Sequence, residues 1–354
     1  MRLLYIGQLW HGSTCVERMR TLQRLGFDIL PFDVTPFAQL GTRIERSLAH
    51  RTDIGRGISR INAQLATTAR EARFDAVWID KGIGIYPETV AMLRANSERR
   101  IAVHYTPDAQ ILDNCSRHFV RSIPIYDLLV TTKPFELDLY NAHGANEVLL
   151  VLEGHGRQFA PRVPTERELS EFAADVSFVG HHQSHRAARL KAVSKETQRL
   201  QIWGSRWPRY AFFHSWARAC VRGEGLWGDC YPIALSCAKI VLGLLSKRIP
   251  EITTTRTFEI PATGVFLLAE RNPHHLALFE EGKEAEFFAS DDELRDKVRF
   301  YLRHDLARIR IAAAGRQRCV TSGYSQEHQL RRIFERLRQR NRTAVALSPS
   351  VTDP

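Results

Sequence analysis

VSFVGHHQSHRAARLKAV (residues 176–193) decides the fold class. A short strand at 176–179 runs into Gly180, a polar loop follows, and a basic helix occupies 185–193. A strand that hands over to a helix through a glycine is the repeating unit of a parallel α/β sheet. Further on, strands are expected at 200–203, 240–245, 264–268 and 285–288, with helices at 231–238, 255–262, 291–302 and 306–321. The same alternation fills the first half. There strands are expected at 3–6, 29–32, 76–79, 101–104, 126–130 and 148–152, with helices at 14–25, 57–71, 87–93 and 135–142. Right-handed crossovers then give two parallel sheets. The stretch 154–169 is polar, contains proline and lacks periodicity, so it reads as a linker.

The domain reading follows. Residues 1–155 form one parallel α/β domain, 156–169 the linker and 170–325 a second such domain. A last amphipathic helix over 326–339 carries Leu330, Ile333, Phe334 and Leu337 on one face and needs a partner surface. The tail 343–354 is polar and expected to fray.

Composition bounds the function. A chain of 354 residues, 44% apolar and 25% charged, suits two globular domains. No apolar run approaches the ~20 residues of a membrane span. Six scattered cysteines without a C-x-x-C pair argue against a disulfide framework or a zinc site and fit a cytoplasmic protein. Fifty Lys and Arg against 39 Asp and Glu leave a charge of +11, which attracts polyanions or an anionic leaflet. No nucleic-acid recognition motif accompanies it, so nucleic acid is excluded as the partner.

Parallel α/β domains bind ligands at the carboxyl ends of their strands. Gly180 would let the backbone approach a ligand, and Arg186 lies at the start of the helix behind it. The plainer alternative is a turn before a solvated helix. EITTTRTFEIPATG (251–264) places Glu251 and Glu259 eight residues apart, with Arg256 between them and Thr253–Thr255 able to cap a helix. An Arg at a helix N-terminus suits a diphosphate, and a carboxylate one turn on suits ribose hydroxyls. On the first domain, Asp108 in HYTPDAQ follows a strand and is a candidate general base. Lys81, Lys133 and His11 also follow strands and are candidates for acceptor contact. The His181–His182 and His274–His275 pairs are adjacent in sequence and face different ways on a helix, so no metal is expected.

LQIWGSRW (200–207), GDCYPIALSCAKIVLGL (228–244), TRTFEIPATGVFLLAE (255–270), the run 278–319 and GYSQEHQLRRIFERL (323–337) form an ordered series. With FDAVWIDKG (74–82), HYTPDAQ (104–110) and the run 126–161, they resemble glycosyltransferases related to the spore-maturation protein CgeB, within the group-1/family-4-like GT-B superfamily. The resemblance implies an α/β GT-B fold: two Rossmann-like domains, a cleft between them, and a final helix crossing back to the first. It implies sugar transfer from a nucleotide-diphosphate sugar, a co-substrate rather than a cofactor, to a glycan, lipid-linked or protein acceptor. Glu251 and Glu259 match the family's Glu-x7-Glu pair, with Glu259 on the donor ribose and Glu251 near the donor sugar. Arg256 falls to the diphosphate, and Gly180 and Arg186 match a strand-end glycine and a helix arginine. Where relatives often carry Asn, this chain has Gly243. A catalytically inactive nucleotide- or glycan-binding protein on the same fold is the alternative. The charge adds the expectation of reversible electrostatic contact with the inner face of an anionic membrane. The sequence sets neither the donor base nor the oligomeric state.

Overall fold

The structure, a computed structural model, describes residues 1–346. It divides into two compact units: residues 1–152 together with the helix that starts at Gln326, and residues 153–325.

The first unit is a six-stranded sheet. In chain order it runs β1 (Arg2–Gly7), α1 (Thr14–Arg24), β2 (Asp28–Asp33), α2 (Thr35–Ala38), α3 (Arg43–Thr52), α4 (Arg56–Glu71) and β3 (Ala76–Asp80). It continues through α5 (Pro87–Asn96), β4 (Ala102–Thr106), α6 (Arg117–Ser122), β5 (Leu128–Thr131), α7 (Glu136–Ala142) and β6 (Val148–Leu150). The strand order is β2-β1-β3-β4-β5-β6, every pairing parallel. The order reverses between β1 and β3, which opens a crevice at their carboxyl ends. The central strands are buried on both faces, which is why they read as apolar runs without alternation.

The second unit begins with α8 (Glu166–Phe172), β7 (Ala174–Val179), α9 (Ser184–Val193), β8 (Leu200–Trp203), α10 (Trp207–Phe213), α11 (Ser215–Cys220) and β9 (Val221–Gly223). Then follow α12 (Cys230–Ser236), β10 (Ala238–Gly243), α13 (Thr255–Ala262), β11 (Phe266–Glu270), α14 (Pro273–Leu278), β12 (Glu286–Phe288), α15 (Asp291–Arg303) and α16 (Asp305–Thr321). Its sheet order, β12-β11-β10-β7-β8-β9, is the doubly wound pattern with the switch point between β7 and β10. All its ladders are parallel as well. Gly315 lets α16 pass close to its neighbours, because a side chain there would meet the Glu284 carbonyl at 2.2 Å.

The last helix, α17 (Gln326–Ala346), packs on the first unit. Leu330, Ile333, Phe334 and Leu337 are buried among Leu3, Tyr5, Trp78 and Tyr105. The Phe334 ring lies tilted 4.2 Å from Phe27, centre to centre, and stacks 5.9 Å from Trp78. Each such burial stabilises by roughly 2 kcal/mol. Residues 343–346, expected to fray, continue this helix, and the rest of that tail lies outside the described residues.

Several expectations need correction. The stretch 154–169 is no bare linker: α8 starts at Glu166, and Glu168 accepts from the Thr165 amide at 2.8 Å in a capping box. Helices α3, α10 and α11 and the edge strand β9 occupy stretches to which no element is assigned from the sequence. Strand β10 ends at Gly243 rather than at 245, because the next two carbonyls turn away to hydrogen-bond Arg186.

Candidate functional site

In the second unit, the ends of β7 and β8 are locked by backbone contact. Gly180 donates its amide to the Trp203 carbonyl at 2.8 Å, and the Trp207 indole donates to the Gly180 carbonyl at 2.8 Å. Gly204, at φ +148°, makes this approach possible: a side chain there would sit 1.9 Å from the Gly180 carbonyl oxygen.

Arg186 lies in the first turn of α9 and is buried. Its guanidinium donates to the carbonyls of Leu245 (3.3 Å), His181 (3.1 Å) and Leu244 (3.0 Å). Three donors are thus spent on holding the β7 and β10 loops together. Glu251 stands 3.8 Å away and accepts from the Ser246 amide. Burial, and then the charge of Arg256, push Arg186 down to about 10. Two guanidiniums therefore face the same small region. The Nε of Arg256 is buried and has no hydrogen-bond partner among the described residues.

Thr254 is the N-cap of α13, and its amide donates to Thr257 Oγ1 at 3.2 Å. Arg256 occupies the second position of the helix, and Glu259 follows one turn later. Glu259 is 6% exposed. The Tyr231 hydroxyl on α12 donates to its carboxylate at 2.8 Å. Burial pushes the Glu259 carboxyl up to about 7, although Tyr231, Thr255 and Arg256 all favour its ionised form. Gly243 has no room for a side chain, since a Cβ would meet Ala269 Cβ at 2.8 Å.

Three further residues belong here that the sequence did not single out. Tyr231 is one. Glu153, buried, accepts from Thr253 Oγ1 at 3.1 Å. Glu270, at the end of β11, takes the Leu245 amide (2.8 Å) and the Lys247 ammonium (2.8 Å). It also pairs with Arg189 at 2.7 Å. Burial works against its charge, but these partners hold its pKa below the usual value.

The candidates on the first unit gather at the ends of β3 and β4. Lys81 adopts φ 68°, and its ammonium lies 2.5 Å from Asp108. Burial opposes the Lys81 charge, yet the Asp108 pair outweighs it and raises the pKa. Behind Lys81, His104 bonds its carbonyl at 3.0 Å, and burial pushes that imidazole down to about 4. Asp80, next in the chain, is buried against Arg18 at 2.6 Å and accepts from Tyr5 at 2.7 Å. The loop bearing Asp108 is clamped by buried Glu136, which accepts from the Ile111 amide (3.0 Å) and the Thr131 hydroxyl (2.7 Å). His11 lies exposed in the turn before α1, and Lys133, 4% exposed, follows β5, where the neighbouring Thr132 hydroxyl donates to the Pro107 carbonyl at 3.1 Å.

Among the described residues, no cluster of three or more His, Cys, Asp or Glu side chains could hold a metal ion, and no helix is long and apolar enough to cross a membrane.

Residues 179–335 match a family described as glycosyl transferase-like. Among solved structures, HepE of Anabaena in complex with UDP and glucose aligns at a TM-score of 0.65 and 13% identity, over 96% of this chain and 100% of its own. Sucrose-phosphate synthase of Thermosynechococcus elongatus aligns at 0.66 and 11%, over 95% and 99%. A glycosyltransferase of Rickettsia africae aligns at 0.64 and 13%, over 94% and 97%. The fold is GT-B. Within GT-B, the family match begins at Val179, beside Gly180, and takes in Arg186, Glu251, Arg256 and Glu259. No curated protein sequence matches the chain.

Proposed function

We propose that this GT-B protein is a glycosyltransferase that takes its sugar from a nucleotide-diphosphate donor held by the second unit. One observation carries the reading: two guanidiniums, Arg186 and Arg256, converge at the β7–β10 switch point, and Arg256 keeps a buried donor unpaired. Such a site gains from a dianion. A nucleoside diphosphate leaves with two negative charges, and Arg256 with the amides of the α13 N-terminus can neutralise them as the glycosidic bond breaks. Buried Arg186 adds its field and fixes the loops. No resident cofactor or metal enters this reading.

Glu259, with Tyr231 beside it, suits ribose hydroxyls. Glu251 points from the preceding loop toward the same region and suits the donor sugar. HepE has been solved with UDP and with UDP-glucose, so uridine diphosphate sugars are the first donors to test. On the first unit, Asp108 would accept the proton of the attacking hydroxyl, with Lys81 fixing its carboxylate. The likeness to CgeB-type enzymes and an envelope glycan as product belong to the same reading. So do a cytoplasmic location and salt-sensitive contact with an anionic leaflet, supported by the charge of +11.

Thermal shift against UDP, GDP, ADP and TDP, followed by hydrolysis or transfer from the matching sugar, tests the proposal. A ligand at ~100 times its dissociation constant adds about 2.7 kcal/mol. A shift with one nucleoside diphosphate that is lost in Arg256→Ala supports the site; no shift with any of them refutes it.

A further inference from the structure

The crevice between β1 and β3 in the first unit opens into a cavity of about 450 Å³. Its walls are aliphatic: Ile6 from β1, Leu48 from α3, Ile58 and Ile61 from α4, and Ile85 after β3, with Phe37 as an aromatic member. Close backbone packing makes the room. A side chain at Gly57 would meet the Phe37 carbonyl at 2.3 Å, so α4 lies directly against the α2 segment. The helix α3 that closes one side is itself well built. Thr42 and Glu45 form its capping box, and Asp53 ends it in a left-handed turn at φ 57°.

Two further features point to a ligand. The rim carries aliphatic groups open to water: Leu48 is 57% exposed and Ile54 67%, interleaved with the charged Glu45, Arg46, Asp53 and Arg56. Exposed aliphatic residues gathered around an aliphatic cavity mark a binding surface rather than chance. The other feature is the polar end. Asp80 and Lys81 line the cavity too, and Lys81 is the residue that pairs with Asp108. A cavity of a few hundred Å³ with apolar walls, and charged groups at its strand end and around its mouth, is the form of a site for an amphiphile.

We propose that this cavity holds the aliphatic chain of a lipid-like acceptor, with its sugar or hydroxyl end at Lys81 and Asp108. The identity of the reaction at that end rests on the glycosyltransferase reading; the chain-binding cavity does not. Among the acceptor classes open to the sequence, this selects a lipid-linked one over a free glycan or a protein side chain. Leu48 and Ile54 form the entrance, and chain length becomes a determinant of affinity.

The test uses the full chain and n-hexyl, n-octyl and n-decyl β-D-glucosides, each below its micellar concentration, by titration calorimetry. Affinity is expected to rise about fourfold per added methylene until the cavity is filled. The double variant Leu48→Asp/Ile54→Asp changes two exposed residues and keeps its melting temperature; it is expected to lose at least tenfold in decyl glucoside affinity while still binding UDP. Affinity independent of chain length, or a double variant that binds decyl glucoside like the parent, overturns the proposal. UDP titration of the same protein separates the two readings. If chain-length dependence appears without UDP binding, the cavity assignment stands and the glycosyltransferase reading falls. If UDP binds and alkyl chains make no difference, the cavity assignment alone falls.

Discussion

Lys81 Nζ lies 2.5 Å from Asp108 Oδ2, tying the end of β3 to the loop after β4. Lys81 sits at positive φ and Asp108 rides on a loop clamped by buried Glu136, so the pair is positioned by backbone as well as by charge. Under the proposed function, Asp108→Asn keeps the shape and loses the base. Turnover should fall by about 10²-fold or more, with nucleotide affinity unchanged. Steady-state kinetics and calorimetry on the same variant check this, and turnover within threefold of the parent would remove Asp108 from the chemistry.

Arg256→Ala separates binding from stability. The side chain adds a positive charge beside Arg186 and leaves its Nε unpaired, so it contributes little to the unliganded fold. The melting temperature without ligand should stay level or rise. Nucleoside diphosphate affinity should drop by 10- to 100-fold, in keeping with ~1.5–3 kcal/mol for hydrogen bonds to a charged group. A variant that melts lower and binds equally well would assign Arg256 to structure.

Glu259 gives a pH signature. Its carboxyl is pushed up to about 7 in the folded chain by burial, against an ordinary value of 4.5. Below about pH 4.5 both folded and unfolded chains hold the proton, and the group costs nothing. Between 4.5 and 7 the unfolded chain releases its proton first, so stability falls as pH rises. Above 7 the loss levels off, on the order of 3 kcal/mol. Glu259→Gln removes this term, so the variant should gain on the parent from pH 5 to about pH 7 and hold that gain to pH 8. Urea midpoints of both proteins across that range provide the check; a constant difference would mean that Glu259 titrates as an ordinary carboxylate.

Gly204→Ala tests the locked strand ends. The new methyl would stand 1.9 Å from the Gly180 carbonyl, at a φ of +148° that side chains avoid. Backbone must move, and a loss of at least about 3 kcal/mol is expected in denaturant unfolding of the second unit. An alanine variant as stable as the parent would show that the β7 and β8 ends are free to separate.

Much of this architecture was readable in advance because parallel strands buried on both faces leave continuous apolar runs, as at 76–79 and 128–130. The nearness of Arg256 and Glu259 was readable for a local reason: they share one short helix, and a capping threonine precedes it. Tyr231, Glu153 and Glu270 were not readable, because each reaches the site from a different element and has no spacing relation to it. Two helices were missed although a signal was present. Both Thr42-Arg-Ile-Glu45 and Thr165-Glu-Arg-Glu168 are capping boxes, which announce a helix start even where apolar periodicity is weak. The aromatic-rich stretch 207–220 carries no comparable marker, and its two short helices depend on packing around Trp207.

The return of α17 to the first unit has a temporal meaning on the ribosome. The surface formed by Leu3, Tyr5, Trp78 and Tyr105 waits for Leu330, Ile333, Phe334 and Leu337. Residues 153–325 must be made in between, which takes roughly 10–35 s at 5–20 residues per second. The first unit therefore emerges with an apolar face uncovered, and it is completed only after its downstream neighbour has been synthesised. A nascent chain stalled before residue 326 should recruit a chaperone that the finished protein does not need.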